Sequence, residues 1–145
     1  MLSASSMSRR KWIKYTGIAL LLSLVPNNNV ATGDTTTLKS ISPKEAYERV
    51  HGHYSVPLID VRTKEEYAST HIDGSISIPL SDSAEWIASV KKLFPLDAHL
   101  VLICQKGIRS SNAAQQLLQA GYSHVSVVRG GLNEWKRQGI PWNIR

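Results

Sequence analysis

The chain holds a single cysteine, Cys104, among its 145 residues. One thiol cannot close a disulfide within a chain, and without a Cys-x-x-Cys pair or a resolving cysteine a dithiol redox role is disfavoured. Long hydrophobic runs are also missing: the uncharged apolar stretch at residues 15–25 is shorter than the about 20 residues a spanning helix needs. No basic stripe interleaved with aromatics occurs, so a formal charge of +6 does not point to nucleic acid. His51-Gly52-His53 has no third ligand nearby, so neither a metal nor another cofactor is expected. Internal repeats are absent, and low complexity is confined to residues 26–36.

What is there begins with a leader. Ser8-Arg9-Arg10-Lys11-Trp12-Ile13-Lys14 is followed by the apolar stretch, Pro26 and three asparagines, the three-part layout of an export signal. Ala31-Thr32-Gly33 supplies small residues for cleavage after Gly33, with Ala31 as the alternative. The basic segment resembles the twin-arginine export motif, which implies a periplasmic protein, exported folded, that meets the membrane only in transit. Residues 34–145 then form one domain, with 13 basic and 11 acidic residues and a net charge of only +2.

Along that domain strands and helices alternate. Extended segments are expected at residues 37–41, 56–61, 75–78, 100–103 and 125–128, and helices at 43–50, 63–70, 82–94 and 110–120, with a last one around Trp135. Ser42-Pro43-Lys44-Glu45 and Thr63-Lys64-Glu65-Glu66 both read as capping boxes. The alternation predicts an α/β fold with a central parallel five-stranded sheet and helices on both faces. In such a sheet ligands bind beyond the carboxyl ends of the strands, which brings Cys104, Asp60 with Arg62, and Arg129-Gly130-Gly131 to one rim.

Cys104 ends an apolar strand and opens a cationic glycine loop and a helix. Inward N–H groups, a helix N-terminus and nearby cations each stabilise a thiolate, which marks Cys104 as a nucleophile, the alternative being a buried structural cysteine. Gln105, Lys106, Gly107, Ile108, Arg109 and Ser110 form the cradle expected to hold the substrate, with Lys106 and Arg109 supplying positive charge. Asp60 and Arg62 are expected to support it as an ion pair bracing the second strand.

Residues 38–142 resemble a single rhodanese domain, the sulfurtransferase module. The resemblance rests on the cysteine loop, on Ile59-Asp60-Val61-Arg62, on Tyr67-Ala68-Ser69-Thr70-His71-Ile72-Asp73-Gly74-Ser75, and on Val128-Arg129-Gly130-Gly131-Leu132-Asn133-Glu134-Trp135. It implies that Cys104 takes a sulfane sulfur from a small donor such as thiosulfate and passes it, as a persulfide, to a thiol, to cyanide or to a protein acceptor. Many members carry arginine directly after the cysteine, where this chain has Gln105. The Cys-x4-Arg spacing is one residue short of the Cys-x5-Arg loop of cysteine-dependent phosphatases, which argues against phosphate chemistry. A module of this fold can also serve as a non-enzymatic carrier or docking domain. His71 is explained by a backbone hydrogen bond at a corner, without chemistry.

Overall fold

The computed structural model describes residues 38–81 and 83–142. The leader and its cleavage point lie outside the described residues. Five strands and five helices alternate: β1 Lys39–Ile41, α1 Pro43–His51, β2 Leu58–Asp60, α2 Lys64–Ser69, β3 Ile76–Ser77, α3 Ser83–Leu93, β4 His99–Ile103, α4 Ile108–Gln119, β5 His124–Val128 and α5 Gly131–Arg137. The strands form one sheet in the order β1-β5-β4-β2-β3, and every pairing is parallel.

Burial follows the alternation of each strand. Val101 and Ile103 of β4, Leu58 of β2 and Val128 of β5 pack with Ala46 and Val50 of α1 and Leu132 and Trp135 of α5. Because successive side chains on a strand point to opposite faces, Leu100 and Leu102 turn the other way, to the side where α4 packs on β4 and β5 and α3 packs on α4. All four of these β4 side chains are at most 1% exposed, as a sheet covered on both faces requires.

Local chemistry sets the element ends. Thr63 accepts from the Glu66 N–H at 3.2 Å while Glu66 accepts from the Thr63 N–H at 3.0 Å, a complete capping box. Ser42 caps α1 through the Glu45 N–H, but the Glu45 carboxylate does not reach back as expected. It accepts instead from Arg49, one turn on, at 2.7 Å. The strand expected over 56–61 is trimmed at its start, because the Val56 N–H goes to the Arg49 carbonyl and Pro57 has no N–H to offer. α4 begins at Ile108 rather than near Ser110, which brings its N-terminus closer to Cys104.

Candidate active site

Cys104 follows the last residue of β4 at the centre of the sheet, and its side chain is almost wholly buried, at 1% exposed. The chain turns at Gly107, whose φ of 101° lies in the left-handed region that glycine tolerates and other residues resist. That turn aims the Gly107 N–H at the Cys104 sulfur, 3.0 Å away. The Ser110 hydroxyl lies 3.4 Å from the same sulfur and can also donate to the Gly107 carbonyl. Burial pushes the thiol up. Hydrogen bonds from the Ser110 side chain and from the backbone N–H groups of Ser110, Gly107 and Lys106 pull harder the other way, so Cys104 ends below the ordinary thiol value. The twelve-residue α4 adds the positive end of its dipole at that point.

A second backbone element holds the loop from behind. The Leu132 N–H donates to the Cys104 carbonyl at 2.8 Å and the Asn133 N–H to the Gln105 carbonyl at 3.1 Å. This strap explains Gly131: it sits at φ 61°, and a Cβ there would collide with the Cys104 carbonyl oxygen and lie 2.8 Å from the Gln105 carbonyl.

The three groups expected at one rim do meet. Arg62, 1% exposed, grips both carboxylate oxygens of Asp60 at 2.8–3.1 Å, donates to the Thr70 carbonyl at 2.6 Å, and reaches the Gln105 side-chain oxygen at 3.2 Å. Asp60 and Arg62 thus form a buried pair that also orients the loop. Gln105, expected to face substrate, is held on both ends, since its amide nitrogen donates to Asn133. Arg109 differs most from expectation: its guanidinium forms a two-pronged ion pair with Glu66 of α2, at 2.7 and 2.9 Å, instead of standing free. Lys106 is exposed, and among the described residues it is the loop cation without a carboxylate partner. Ile108 projects from the loop at 69% exposed.

Glu66 and Asn133 are the site residues that sequence reasoning missed. Glu66 was legible only as a helix cap. The Arg109 and Thr63 bonds, opposed by burial, hold its carboxyl down at about 2. His71 lies outside this constellation, with its ring stacked on Tyr67 and Nδ1 2.9 Å from the Tyr67 carbonyl. His51 likewise stacks on Tyr47, and His53 meets Tyr54 edge-on.

Comparison with known proteins gives concordant matches. A family model described as the rhodanese-like domain matches residues 42–138. The chain is 30% identical over 105 residues to thiosulfate sulfurtransferase GlpE of Actinobacillus pleuropneumoniae, covering 72% of this chain and 93% of that one. It is 33% identical over 90 residues to the mitochondrial protein HIGH ARSENIC CONTENT 1 of Arabidopsis thaliana, but spans only about half of it, 53%. Among solved structures, a rhodanese-related protein from Thermoplasma volcanium superposes with a TM-score of 0.58 at 29% identity, over 74% of this chain and 99% of that one.

Proposed function

The chain belongs to the rhodanese-like domain family, and on that premise we propose that it is a sulfurtransferase whose sulfur carrier is Cys104. The observation that carries this reading is the convergence of the Gly107 N–H, the Ser110 hydroxyl and the start of α4 on one buried sulfur. The thiolate attacks the outer sulfur of a donor such as thiosulfate. A new sulfur–sulfur bond forms to Cys104, the bond to the sulfonate group breaks, and sulfite leaves with its electron pair. An acceptor thiolate or cyanide then attacks the outer sulfur of the persulfide and expels the Cys104 thiolate. No general base is needed, because the loop already favours the ionised sulfur, and the same N–H groups face the charge that returns in the second step.

Donor recognition falls mainly to Lys106 and the loop N–H groups, since Arg62 and Arg109 are neutralised by Asp60 and Glu66. The exposed Ile108 beside Lys106 favours a second reading, in which the persulfide serves a protein acceptor. The leader supports a periplasmic site of action.

The test is mass spectrometry after incubation with thiosulfate. The expected result is a gain of one sulfur atom on the Cys104 peptide, removed by cyanide, and no sulfur transfer in the folded Cys104→Ser variant. Transfer that persists in Cys104→Ser would sink the mechanism. Slow turnover with cyanide but fast transfer to one protein thiol would select the carrier reading over the enzyme.

A further inference from the structure

At the sheet edge opposite Cys104, on the face that α1 covers, polar side chains from four elements come together. β4 and β5 begin on His99 and His124, which are neighbours in register and stack with ring centroids 4.2 Å apart and planes 7° from parallel. Two residues further along the same face of β5 lies Ser126, in register with Lys39 of β1, and Arg49 comes from the last turn of α1. These groups line a cleft of about 270 Å³ with apolar walls that include Val56 and Val101.

The charge in this cleft has one sign. Lys39, Arg49 and the two imidazoles are the groups able to carry it, and among the described residues no carboxylate lines the cleft. The neighbouring acids are Glu45, which pairs with Arg49, and Asp97, which precedes β4 and acts on His99. Burial, followed by the His124 and Arg49 charges, lowers His99 from its ordinary value against the pull of Asp97, as expected of a ring in a positive field. Ser126 gives an independent sign. It is only 5% exposed, it opens into the cleft, and among the described residues its hydroxyl has no hydrogen-bond partner. The residue is largely buried but its oxygen still opens to the cleft, so the hydroxyl is free to donate to whatever enters.

We infer that this cleft is a second ligand site, which takes a small doubly charged oxyanion of the phosphate or sulfate type between Lys39, Arg49, the histidine pair and Ser126. A tetrahedral oxyanion offers acceptors in several directions at once, matching donors that converge from β1, α1, β4 and β5. With no carboxylate in the lining, a cation would find Lys39 against it and an Arg49 that is already shared with Glu45. Cys104 lies five residues beyond His99, just past the end of the same strand, about 16 Å away at the rise of a β-strand. Occupancy here therefore leaves the thiol loop untouched.

The experiment follows the histidine ring signals of the full chain by NMR during titration with inorganic phosphate, against sodium chloride at equal ionic strength, from about pH 5 to 8. Phosphate should shift the His99 and His124 signals saturably and raise the titration midpoint of His99. Sulfate, a dianion throughout this range, should bind more tightly as the pH falls, because a protonated His99 ring adds attraction. Lys39→Gln should weaken phosphate binding about threefold to fivefold while sulfur transfer by Cys104 stays as in the wild type. Ser126→Ala should weaken it too, and if that variant fails to fold, Lys39→Gln on the exposed end of β1 still decides. Shifts that chloride reproduces, or binding that Lys39→Gln leaves unchanged, would overturn the inference.

Discussion

Glu66→Gln is the substitution that most directly probes how charge is distributed around the cradle. Glutamine keeps the side-chain length and an oxygen that can accept from the Thr63 N–H, so the cap of α2 survives in its glutamine form. What disappears is the carboxylate that Arg109 now holds at 2.7 and 2.9 Å. The two side chains are 39% and 33% exposed, so water already screens the pair, and its loss should cost about 1 kcal/mol of stability or less. The larger effect is on substrate. Arg109 is near enough to Cys104 for the thiolate to act on it electrostatically, so its charge, once freed, bears on whatever the thiolate attacks. One added cation at an exposed rim attracts each unit of a dianion by about 1 kcal/mol, roughly fivefold in kcat/KM. Thiosulfate should therefore gain at least that much, and a neutral donor such as an organic trisulfide should gain nothing. The assay is the ratio of kcat/KM values for the two donors, in wild type and E66Q, at low and high ionic strength. The gain should fade with salt as the Debye length contracts from about 10 Å at 0.1 M to about 3 Å at 1 M. A pH signature accompanies it. Arg109 holds the Glu66 carboxyl at about 2 in the folded chain, below its ordinary 4.5. Its contribution to stability is therefore complete above 4.5 and is lost as the pH falls toward 2, so the wild type should lose stability over that window more steeply than E66Q. A thiosulfate-to-trisulfide ratio that is unchanged in E66Q at low salt would refute the reasoning, because it would mean that Arg109 does not face the donor.

Ser110→Ala removes the side-chain bond that opposes burial of the thiol, so the Cys104 value should rise. The midpoint of the pH profile for alkylation by iodoacetamide should move upward, and a profile identical to wild type would contradict the role given to the hydroxyl. Gly131→Ala forces a Cβ against the carbonyls of Cys104 and Gln105 at a positive φ. A loss of about 2–3 kcal/mol in chemical unfolding is expected, together with slower persulfide formation; full stability would show that the strap yields easily. In a bacterial host, changing both Arg9 and Arg10 to lysine should stop export if the twin-arginine route reads the leader, and undiminished export would leave the general secretory route.

Much of this arrangement was legible because it is local or topological. Thr63 and Glu66 stand three positions apart, so the cap they form could be read directly, and it is complete. A parallel sheet puts the carboxyl ends of all its strands on one edge, so the meeting of Asp60, Arg62, Cys104 and Gly131 followed from the parallel pairing. The Cys104 loop could be read as a cradle because a glycine three residues after the thiol suits a turn that points N–H groups inward. The rest depended on distance in sequence. Glu66 and Arg109 are 43 residues apart and Gln105 and Asn133 are 28 apart, and nothing in a side chain's own neighbourhood says which distant partner it will find. Glu45 shows the same limit at short range. Its spacing fits both a box with Ser42 and a pair with Arg49, and the ion pair won.

The strand order carries a consequence for the life of the nascent chain. Among the described residues β1 pairs with β5 alone, and the carbonyls of Cys104 and Gln105 are held by N–H groups at residues 132 and 133. A polypeptide growing on the ribosome must therefore emerge past β5 before its first strand has a neighbour, and past the Gly-Gly turn before the thiol loop has its strap. Until then the loop lacks the backing that fixes its shape. Reactivity at Cys104 thus matures only after residues 132 and 133 have emerged, and a chain released before residue 131 would carry the nucleophile without the support that tunes it.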